Sequence, residues 1–470
     1  MLAASFKRTK IIATIGPASN SPQVLEQLML AGVNAFRLNF SHGTQEEHGE
    51  VLKIARKLSA KHERPVAVIA DLQGPKIRVG TLPADGLPFV RDNLVRFQYG
   101  ATFDSTGIIP VQHDISRYLK KGERIFLRDG MIQIEVHKIE KGLITGQVLT
   151  PGLLYSNQGM NLPDSDLGGD ILTSKDISDI EFAVKAKADY IALSFVQTAQ
   201  DILSLKERLA KFGSDLRVIA KVETAAAVAN LEEIVIASDA LMVARGDLAV
   251  ETMPEAVPAV QRRMIELAKH HRKTVIVATQ MLESMIQSPQ PTRAEVSDVA
   301  TAVMEGTDAV MLSGETAMGL FPVETVRMMK RVILYAEREE NHVHMGDHVE
   351  FVGGEPANAI SAAAVVLAHQ LPAKVIVAET SSGQTARNIS ALRPNVPIIM
   401  VTDHERVYYQ MAIVWGGKSY LAESMEDATD HVLRLLKSAG NIHKGDNAVV
   451  ASGNQPGLIG GTDKVVIKVA

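Results

Sequence analysis

The 470-residue chain contains no cysteine, which excludes disulfide bonds, zinc–thiolate centres and a cysteine nucleophile. No apolar run reaches the roughly 18 residues that a membrane-spanning helix needs, so no membrane partner is expected. There is no excess of basic residues either, and the net charge of −5 argues against nucleic acid as the main partner. Lys7, Arg8 and Lys10 interrupt the first apolar residues, which is a poor match to a signal peptide. We therefore expect a cytoplasmic protein.

Eight short apolar runs have the character of buried parallel strands, and helical patterns separate most of them. The strand-like runs are residues 10–16, 35–40, 66–72, 190–195, 217–222, 240–243, 274–279 and 309–312. The helical patterns include residues 46–60, 202–212, 255–271, 293–305 and 322–335. Eight alternating units predict an α/β protein built on a closed (β/α)8 TIM barrel, whose active site lies at the C-terminal ends of the strands.

One interval breaks the alternation, because more than a hundred residues separate the third strand-like run from the fourth. Strand patterns and glycine-containing turns within it predict a small inserted β-barrel domain; the strand patterns are residues 94–98, 124–127, 132–137 and 143–149. A domain at the top of the barrel could close over a substrate as a lid. We predict a catalytic barrel over residues 1–78 and 166–340, with the inserted lid over residues 79–165.

A further domain follows a polar connector rich in Glu and His. Strand patterns alternate there with helical patterns, which predicts a C-terminal α/β domain over residues 355–470. The strand patterns are residues 374–378, 397–401, 447–451 and 465–469, and the helical patterns are residues 357–370 and 428–438.

Charged side chains stand where two neighbouring predicted strands end. Lys221 and Glu223 are two residues apart and therefore face the same way. Asp247 follows Arg245 and Gly246 after the next strand, and Gly246 permits a close approach of the backbone. Two carboxylates and substrate oxygens suffice for Mg²⁺, so Glu223 and Asp247 are candidate metal ligands. The alternatives are a solvated ion pair for Lys221 with Glu223, and a surface turn for residues 245–247.

Two further groups of polar residues follow other strands. Arg37, Asn39 and Ser41 alternate along the second run and its end, and an arginine fork suits phosphate oxygens. The alternative is a buried polar network that closes the barrel. Thr279 and Ser313 end the seventh and eighth runs, with Glu315 nearby; they are candidates to orient a water or relay a proton, or else ordinary helix caps.

Seven strings in one order resemble the pyruvate kinase family over the whole chain. They are Thr-Ile-Gly-Pro-Ala at 14–18, Arg-Leu-Asn-Phe-Ser-His-Gly at 37–43, Lys-Val-Glu at 221–223, Ala-Arg-Gly-Asp at 244–247, Ala-Thr-Gln-Met-Leu-Glu-Ser at 278–284, Pro-Thr-Arg-Ala-Glu at 291–295 and Leu-Ser-Gly-Glu-Thr at 312–316. The order of barrel, inserted β domain, barrel and C-terminal α/β domain is also similar to that family. The resemblance implies phosphoryl transfer from phosphoenolpyruvate to ADP, giving pyruvate and ATP.

The resemblance also implies a role for each matching residue. Lys221 would stabilise the transferring phosphoryl group and the enolate, and Arg37 would contact the phosphoryl group. Glu223 and Asp247 would hold Mg²⁺ or Mn²⁺. The backbone of residues 245–247 would receive the substrate carboxylate, and the proton for the enol would come through a water near Thr279. The implied substrate-binding residues are thus Arg37, Lys221, Arg245, Gly246, Asp247 and Thr279; the catalytic ones are Lys221, Arg37, Thr279, Ser313, Glu315 and Lys76; and the nucleotide-binding ones are Asn39, His42, Arg78 and Lys175.

One position departs from the pattern of K⁺-dependent members. They carry glutamate where this chain has Lys76, within Asp-Leu-Gln-Gly-Pro-Lys at 71–76. An ammonium group there supplies the positive charge that K⁺ would otherwise bring. We therefore predict no K⁺ requirement, with Asn39, Ser41 and Asp71 as neighbours of the site and not ion ligands.

The C-terminal domain offers a hydroxyl-rich loop between a strand and a helix, which suits a phosphate. Its residues are Thr380, Ser381, Ser382, Gly383, Gln384 and Thr385. The family resemblance implies a sugar-phosphate or nucleotide effector here, and a plain capped turn is the alternative. The loop at 452–457 lacks the aromatic residue and arginine expected for activation by fructose 1,6-bisphosphate. The resemblance also implies a homotetramer.

Two alternative functions stay open at this point. One is another barrel enzyme that acts on phosphoenolpyruvate or an enolate, and the other is a non-catalytic homologue that binds only the effector. ADP dependence separates the first from a pyruvate kinase, and turnover excludes the second.

Overall fold

The structure, a computed structural model, describes residues 6–128, 130–165, 171–339, 355–453 and 461–470. The chain begins with three strands alternating with two helices: β1 (Lys10–Ile15), α1 (Pro22–Ala31), β2 (Ala35–Asn39), α2 (Gln45–Lys61) and β3 (Ala67–Asp71). Local chemistry sets the helix starts. Ser21 caps α1, which has Pro22 in its first turn, and Thr44 forms a reciprocal capping box with Glu47 at α2.

Eight strands follow before the next helix. They are β4 (Leu87–Phe89), β5 (Leu94–Tyr99), β6 (Ile108–Val111), β7 (Arg124–Leu127), β8 (Ile132–Glu140), β9 (Leu143–Thr150), β10 (Gly152–Leu154) and β11 (Met160–Asn161). Six of them pair in the order β11-β7-β8-β9-β5-β6, and β4 pairs with β10. These strands, which we call the lid, enclose an apolar core of their own. Where the sequence predicted a small β-barrel, the described strands form an open six-stranded sheet and a two-stranded one.

The chain then returns to strands alternating with helices. In order these are α3 (Ser174–Lys185), β12 (Tyr190–Leu193), α4 (Ala199–Lys211), β13 (Arg217–Val222), α5 (Ala225–Ala229), α6 (Leu231–Ala237), β14 (Ala240–Ala244), α7 (Arg245–Glu251), α8 (Val257–His270), β15 (Thr274–Ala278), α9 (Arg293–Met304), β16 (Ala309–Leu312), α10 (Gly314–Ala317) and α11 (Pro322–Glu339). Short 3₁₀ turns lie at Pro254–Ala256 and Glu283–Ile286.

Eight parallel strands close into a barrel in the order β1-β16-β15-β14-β13-β12-β3-β2. Strand β3 pairs directly with β12, so the barrel closes across the insertion. Alternate strand residues point inward and outward, which gives two apolar layers. The inner layer includes Ile12, Ile69 and Ile276, and the outer one packs the strands against the helices. Ala412 and Ile413 of the C-terminal domain belong to the inner layer.

The C-terminal domain is a five-stranded sheet with helices. Its elements are α12 (Pro356–Gln370), β17 (Val375–Glu379), α13 (Gln384–Ala391), β18 (Ile398–Thr402), α14 (Glu405–Gln410), a 3₁₀ turn at Met411–Ile413, β19 (Gly417–Leu421), α15 (Ala428–Ser438), β20 (Asn447–Ser452) and β21 (Lys464–Val469). The sheet order is β19-β18-β17-β20-β21, with β21 antiparallel. The domain contacts the N-terminal ends of the barrel strands, where Lys10 Nζ donates to the Gly417 carbonyl (2.7 Å) and the Tyr190 hydroxyl donates to the Gln410 carbonyl (2.6 Å).

The predicted barrel strands agree with the observed ones to within two residues at each end. The sequence did not predict β19, a five-residue strand that opens with Gly417, because glycine is depleted in strands. Its pairing with β18 makes it a strand. Among the described helices, none is both long and apolar enough to cross a bilayer.

Candidate active site

The C-terminal ends of the barrel strands bring two cations and two carboxylates together. Lys221 Nζ lies 3.4 Å from Asp71 Oδ1 and 3.3 Å from Glu223 Oε2, and it donates to Ser194 Oγ at 2.6 Å. Arg37 Nε donates to Asp71 Oδ2 at 2.6 Å. Both carboxylates are 1% exposed and both cations 12% exposed. Sequence reasoning found Arg37, Lys221 and Glu223, and it named Asp71 only as a neighbour.

Mutual attraction keeps Lys221 and Asp71 charged although both are buried. Burial would lower the pKa of Lys221, but Asp71 and Glu223 outweigh burial and raise it. Burial would raise the pKa of Asp71, but Lys221 and Arg37 outweigh burial and lower it. Ser194 was not predicted as a site residue, although it lies within the fourth strand-like run and directly follows β12. An ammonium group held charged at a strand end can neutralise a developing negative charge.

Glu223 has the features of a metal ligand. Burial raises its pKa to about 7, against the attraction of Lys221, and the charge of Asp247 raises it further. The Phe195 amide donates to Oε1 at 2.7 Å. Among the described residues, Oε2 of Glu223 and Oδ1 of Asp71 are buried and accept no hydrogen bond. Each of these two oxygens has an ion-pair contact with Lys221 but no hydrogen bond, which leaves it able to accept a divalent cation.

Asp247 lies half-buried in the first turn of α7 and complements Glu223. In the part of the chain that the structure describes, no group of three or more His, Cys, Asp or Glu could hold a metal by itself. Mg²⁺ needs only one or two carboxylates when substrate oxygens and water complete its shell. The residues present therefore fit a metal that binds together with a substrate.

Thr279 adopts a backbone conformation that β-branched residues rarely adopt. Its φ is +68°, and that of Gln280 is +53°. The Arg245 guanidinium donates to the Thr279 carbonyl at 2.7 Å and pairs with Asp298 at 2.7 Å. The Gly246 amide donates to Thr279 Oγ1 at 2.9 Å. Strain of this kind persists where the surroundings enforce it, and here it fixes the threonine hydroxyl beside α7.

These contacts also show what Arg245 does in the structure. Among the described residues, its guanidinium donates to Asp298 and to the carbonyls of the turn at Thr279, so it holds this turn in place. Asp298 was not predicted from the sequence. It lies on α9, and no strand-end pattern marks it.

Ser313 and Glu315 lie at the end of β16, as predicted, and their surroundings differ. Glu315 is fully buried and accepts from two amides, those of Ser313 (2.6 Å) and Leu282 (3.2 Å). Glu315 therefore links the segments that follow the neighbouring strands β15 and β16. Ser313 Oγ is buried and, among the described residues, has no hydrogen-bond partner. It is the member of this pair with a group free for a water.

Two residues predicted to contact nucleotide, His42 and Arg78, lie near Lys76, which was predicted to replace the charge of K⁺. Burial lowers the pKa of His42, and the charges of Arg78, Lys76 and Arg37 lower it further, so three cations surround this histidine. Lys76 packs close to the lid, because a β-carbon on Gly159 would stand 3.2 Å from its Cε. Such a cluster of cations suits phosphate oxygens.

The other two predicted nucleotide contacts have internal partners. Lys175 Nζ donates to the Phe40 carbonyl (2.6 Å) and pairs with Asp179 (2.5 Å). Asn39 Oδ1 accepts from the Ser41 amide at 3.1 Å, which makes a local turn. A cavity of about 200 Å³ lies beside the site, between the lid and the barrel, with Pro75, Asn161 and Phe195 in its wall.

The predicted effector loop connects β17 to α13 at the bottom of the barrel. Gly383 has a φ of +80°, and its amide donates to Thr380 Oγ1 at 2.8 Å. Thr385 Oγ1 hydrogen-bonds the hydroxyl of Thr462 at 2.6 Å. Residues 381, 382 and 384 are half-buried in the same loop. Residues 454–457, on which the argument about fructose 1,6-bisphosphate depends, lie outside the described residues.

A second contact joins this loop to the barrel. The Ser382 carbonyl accepts from Arg217 Nη2 at 2.7 Å and from Arg387 Nη2 at 3.1 Å. Arg217 is the first residue of β13, the strand that also carries Lys221.

Comparisons with known proteins agree with this architecture. Residues 6–326 match the family described as pyruvate kinase, barrel domain, and residues 358–468 match pyruvate kinase, alpha/beta domain. The chain is 40% identical to a pyruvate kinase of Agrobacterium vitis, with 99% of each chain covered. It is 38% identical to one from Corynebacterium glutamicum (98% and 97% covered) and 37% identical to one from Mycobacterium tuberculosis (98% of each). Since two pyruvate kinase family models match the chain and the similarity extends from end to end, the chain belongs to the pyruvate kinase family.

Proposed function

We propose that this enzyme transfers the phosphoryl group of phosphoenolpyruvate to ADP, giving pyruvate and ATP, the last step of glycolysis. The observation that carries the proposal is the buried cluster of Lys221, Arg37, Asp71 and Glu223 at the C-terminal end of the barrel. Phosphoryl transfer depends on positioning and charge neutralisation, which such a cluster provides. Family membership favours this reaction over another phosphoenolpyruvate enzyme or a non-catalytic homologue.

In this mechanism the chain's own residues hold the phosphoryl group and the enolate. Lys221, whose pKa is raised, keeps its positive charge next to the oxygen on which negative charge develops. Arg37 contacts the phosphoryl oxygens, and the backbone of residues 245–247 receives the carboxylate. Glu223 and Asp247 would hold Mg²⁺ or Mn²⁺, and the bound ion would supply positive charge for phosphoryl transfer.

The second step protonates the enol, and we assign the positioning of the proton-carrying water to Thr279 and Ser313. Thr279→Ala removes the hydroxyl, so we expect exchange of the pyruvate methyl protons with solvent to slow by about 100-fold. Proton NMR in D₂O measures this exchange. Thr279→Ser is the matched control, because it keeps the hydroxyl and should retain most of the exchange. An alanine variant that protonates enolpyruvate at the normal rate would contradict the assignment.

We propose that the enzyme needs no K⁺, since Lys76 supplies the charge in a site already rich in cations. Purified protein with phosphoenolpyruvate, ADP and Mg²⁺ should form pyruvate at full rate in K⁺-free buffer. Turnover that requires K⁺ would support the kinase activity and contradict the proposal that Lys76 replaces K⁺. No turnover in either buffer would reject the kinase.

Lys76→Glu provides the matched variant for the same measurement. It places a negative charge where the positive one was, so turnover should fall at least tenfold in K⁺-free buffer and recover on addition of K⁺. In the Lys76→Gln variant, turnover in K⁺-free buffer should also fall, but added K⁺ should restore it less fully, because glutamine provides no carboxylate to bind the ion.

The remaining assignments are proposals of the same kind. We assign residues 380–385 to a sugar-phosphate or nucleotide effector, supported by the hydroxyls and the positive φ of Gly383 before α13. Asn39, His42, Arg78 and Lys175 would contact the nucleotide. We also propose the domain boundaries, the homotetramer and the cytoplasmic location that the sequence predicts. The domains are the barrel over residues 1–78 and 166–340, the lid over residues 79–165 and the C-terminal domain over residues 355–470.

A further inference from the structure

The lid meets the barrel at the end of α7. Asn161, on lid strand β11, donates from Nδ2 to Glu251 Oε1 at 2.8 Å, and Asn161 is only 9% exposed. The turn between β7 and β8 lies against the preceding residue of α7, since a β-carbon on Gly130 would stand 3.6 Å from both methyl groups of Val250. Two lid segments therefore contact two consecutive residues of one short helix.

Helix α7 joins these lid contacts to the candidate metal ligand. It has seven residues, with Gly246 and Asp247 near its beginning and Val250 and Glu251 at its end. A helix of two turns moves as one body, because backbone hydrogen bonds join its ends. A displacement of Glu251 therefore also displaces Asp247 and the Gly246 amide that holds Thr279.

Glu251 needs a donor in this position. It is half-buried in the wall of the cavity between the lid and the barrel. Burial raises its pKa to about 6, the hydrogen bond from Asn161 opposes this rise, and the nearby charges of Asp247 and Asp164 add to it. A lid that moved away would take the Asn161 amide with it and leave Glu251 without this donor.

We propose that Glu251 is a positioning residue that, through its hydrogen bond to Asn161, holds the closed lid and α7 in one arrangement. Closure of the lid and placement of Asp247 are then coupled. The inference rests on the proposed function for its kinetic consequence, and the hydrogen bond itself can be tested without turnover.

The absence of cysteine makes a direct test of lid position practicable. Cysteines introduced at Tyr99 in the lid and Lys53 on α2, both exposed, accept a donor and an acceptor dye for single-molecule energy transfer. With phosphoenolpyruvate, ADP and Mg²⁺ present, we expect Glu251→Ala and Asn161→Ala each to lower the ratio of closed to open lid by about tenfold. Glu251→Gln keeps an acceptor for Asn161 and should stay within about twofold of the parent.

Kinetics of the same variants test the coupling to the site. Both alanine variants should raise the KM for ADP by about fivefold to tenfold, and the double variant should be no worse than either single one. Glu255→Ala, an exposed carboxylate four residues further on, is the matched control and should change neither readout.

Three results would overturn the inference. The first is an unchanged ratio of closed to open lid in both alanine variants, and the second is a KM for ADP in the double variant that rises by the product of the two single effects. The third is a Glu251→Gln protein in which the lid opens as much as in Glu251→Ala. If the parent protein does not turn over, the proposed function fails, and the energy-transfer measurement still decides whether Glu251 holds the lid.

Discussion

Lys221→Gln should lower kcat by on the order of 10³-fold or more, with a smaller change in the KM for ADP. Lys221 is the cation that lies between the buried carboxylates of Asp71 and Glu223, at 3.4 and 3.3 Å. Glutamine keeps the length of most of the side chain and removes the charge, so the transferring phosphoryl group loses its main stabilising partner. Steady-state pyruvate formation with saturating substrates measures the loss.

Two further lysine variants serve as controls for the effect of Lys221→Gln on kcat. Lys206→Gln removes a lysine that pairs with Asp239 at 3.2 Å, outside the cluster, and should leave kcat within about twofold. Lys221→Arg keeps the charge in a different shape and should recover only part of the rate. A Lys221→Gln protein that folds and retains more than a tenth of the parent kcat would remove Lys221 from the mechanism.

Glu223→Gln should weaken the binding of divalent metal by about 100-fold and lower kcat/KM by a similar or larger factor. The substitution removes the charge of a buried carboxylate whose Oε2 accepts no hydrogen bond from the described residues. The Phe195 amide can still donate to the glutamine oxygen, so the local backbone should persist. Titration with Mn²⁺, followed by electron paramagnetic resonance in the presence of phosphoenolpyruvate, measures binding without turnover.

The same substitution should make the metal-free protein more stable at neutral pH. Burial raises the pKa of Glu223 from 4.5 to about 7, so the carboxyl destabilises the folded state increasingly as the pH rises from 4.5 to 7, and a neutral amide removes this cost. A higher melting temperature with lower activity would exclude misfolding as the cause. Glu232→Gln, at an exposed carboxylate, is the control and should change neither property. Unchanged metal affinity in Glu223→Gln would contradict its assignment as a ligand.

The barrel and most of its site could be predicted from the sequence, because strand ends in a (β/α)8 barrel converge whatever else the chain does. Lys221 and Glu223 follow a buried run and share a face by the two-residue period alone. Arg37 follows in the same way from the second run. The spacing of eight runs was enough to place these residues at one end of the molecule.

What the sequence did not reveal depends on contacts between distant segments. The sequence assigned the backbone of residues 245–247 to the substrate carboxylate, but it gave no sign that the Arg245 guanidinium pairs with Asp298 and donates to the Thr279 carbonyl. The left-handed backbone of Thr279 has no local signal either, since threonine avoids that conformation when free. Contacts between the lid and the barrel, such as that of Asn161 with Glu251, are equally invisible to periodicity.

Closure of the barrel across the insertion has a consequence for how the chain folds. Strand β3 must pair with β12 over more than a hundred intervening residues, at an entropic cost that rises with the length of open chain. The lid has its own apolar core, and a bridge between Arg78 and Gly159 brings its two ends together. A lid that folds first shortens the open chain to about a third, which lowers the cost of joining β3 to β12 by about 1 kcal/mol. Early folding of the lid would thus remove part of the closure cost that the insertion imposes on the barrel.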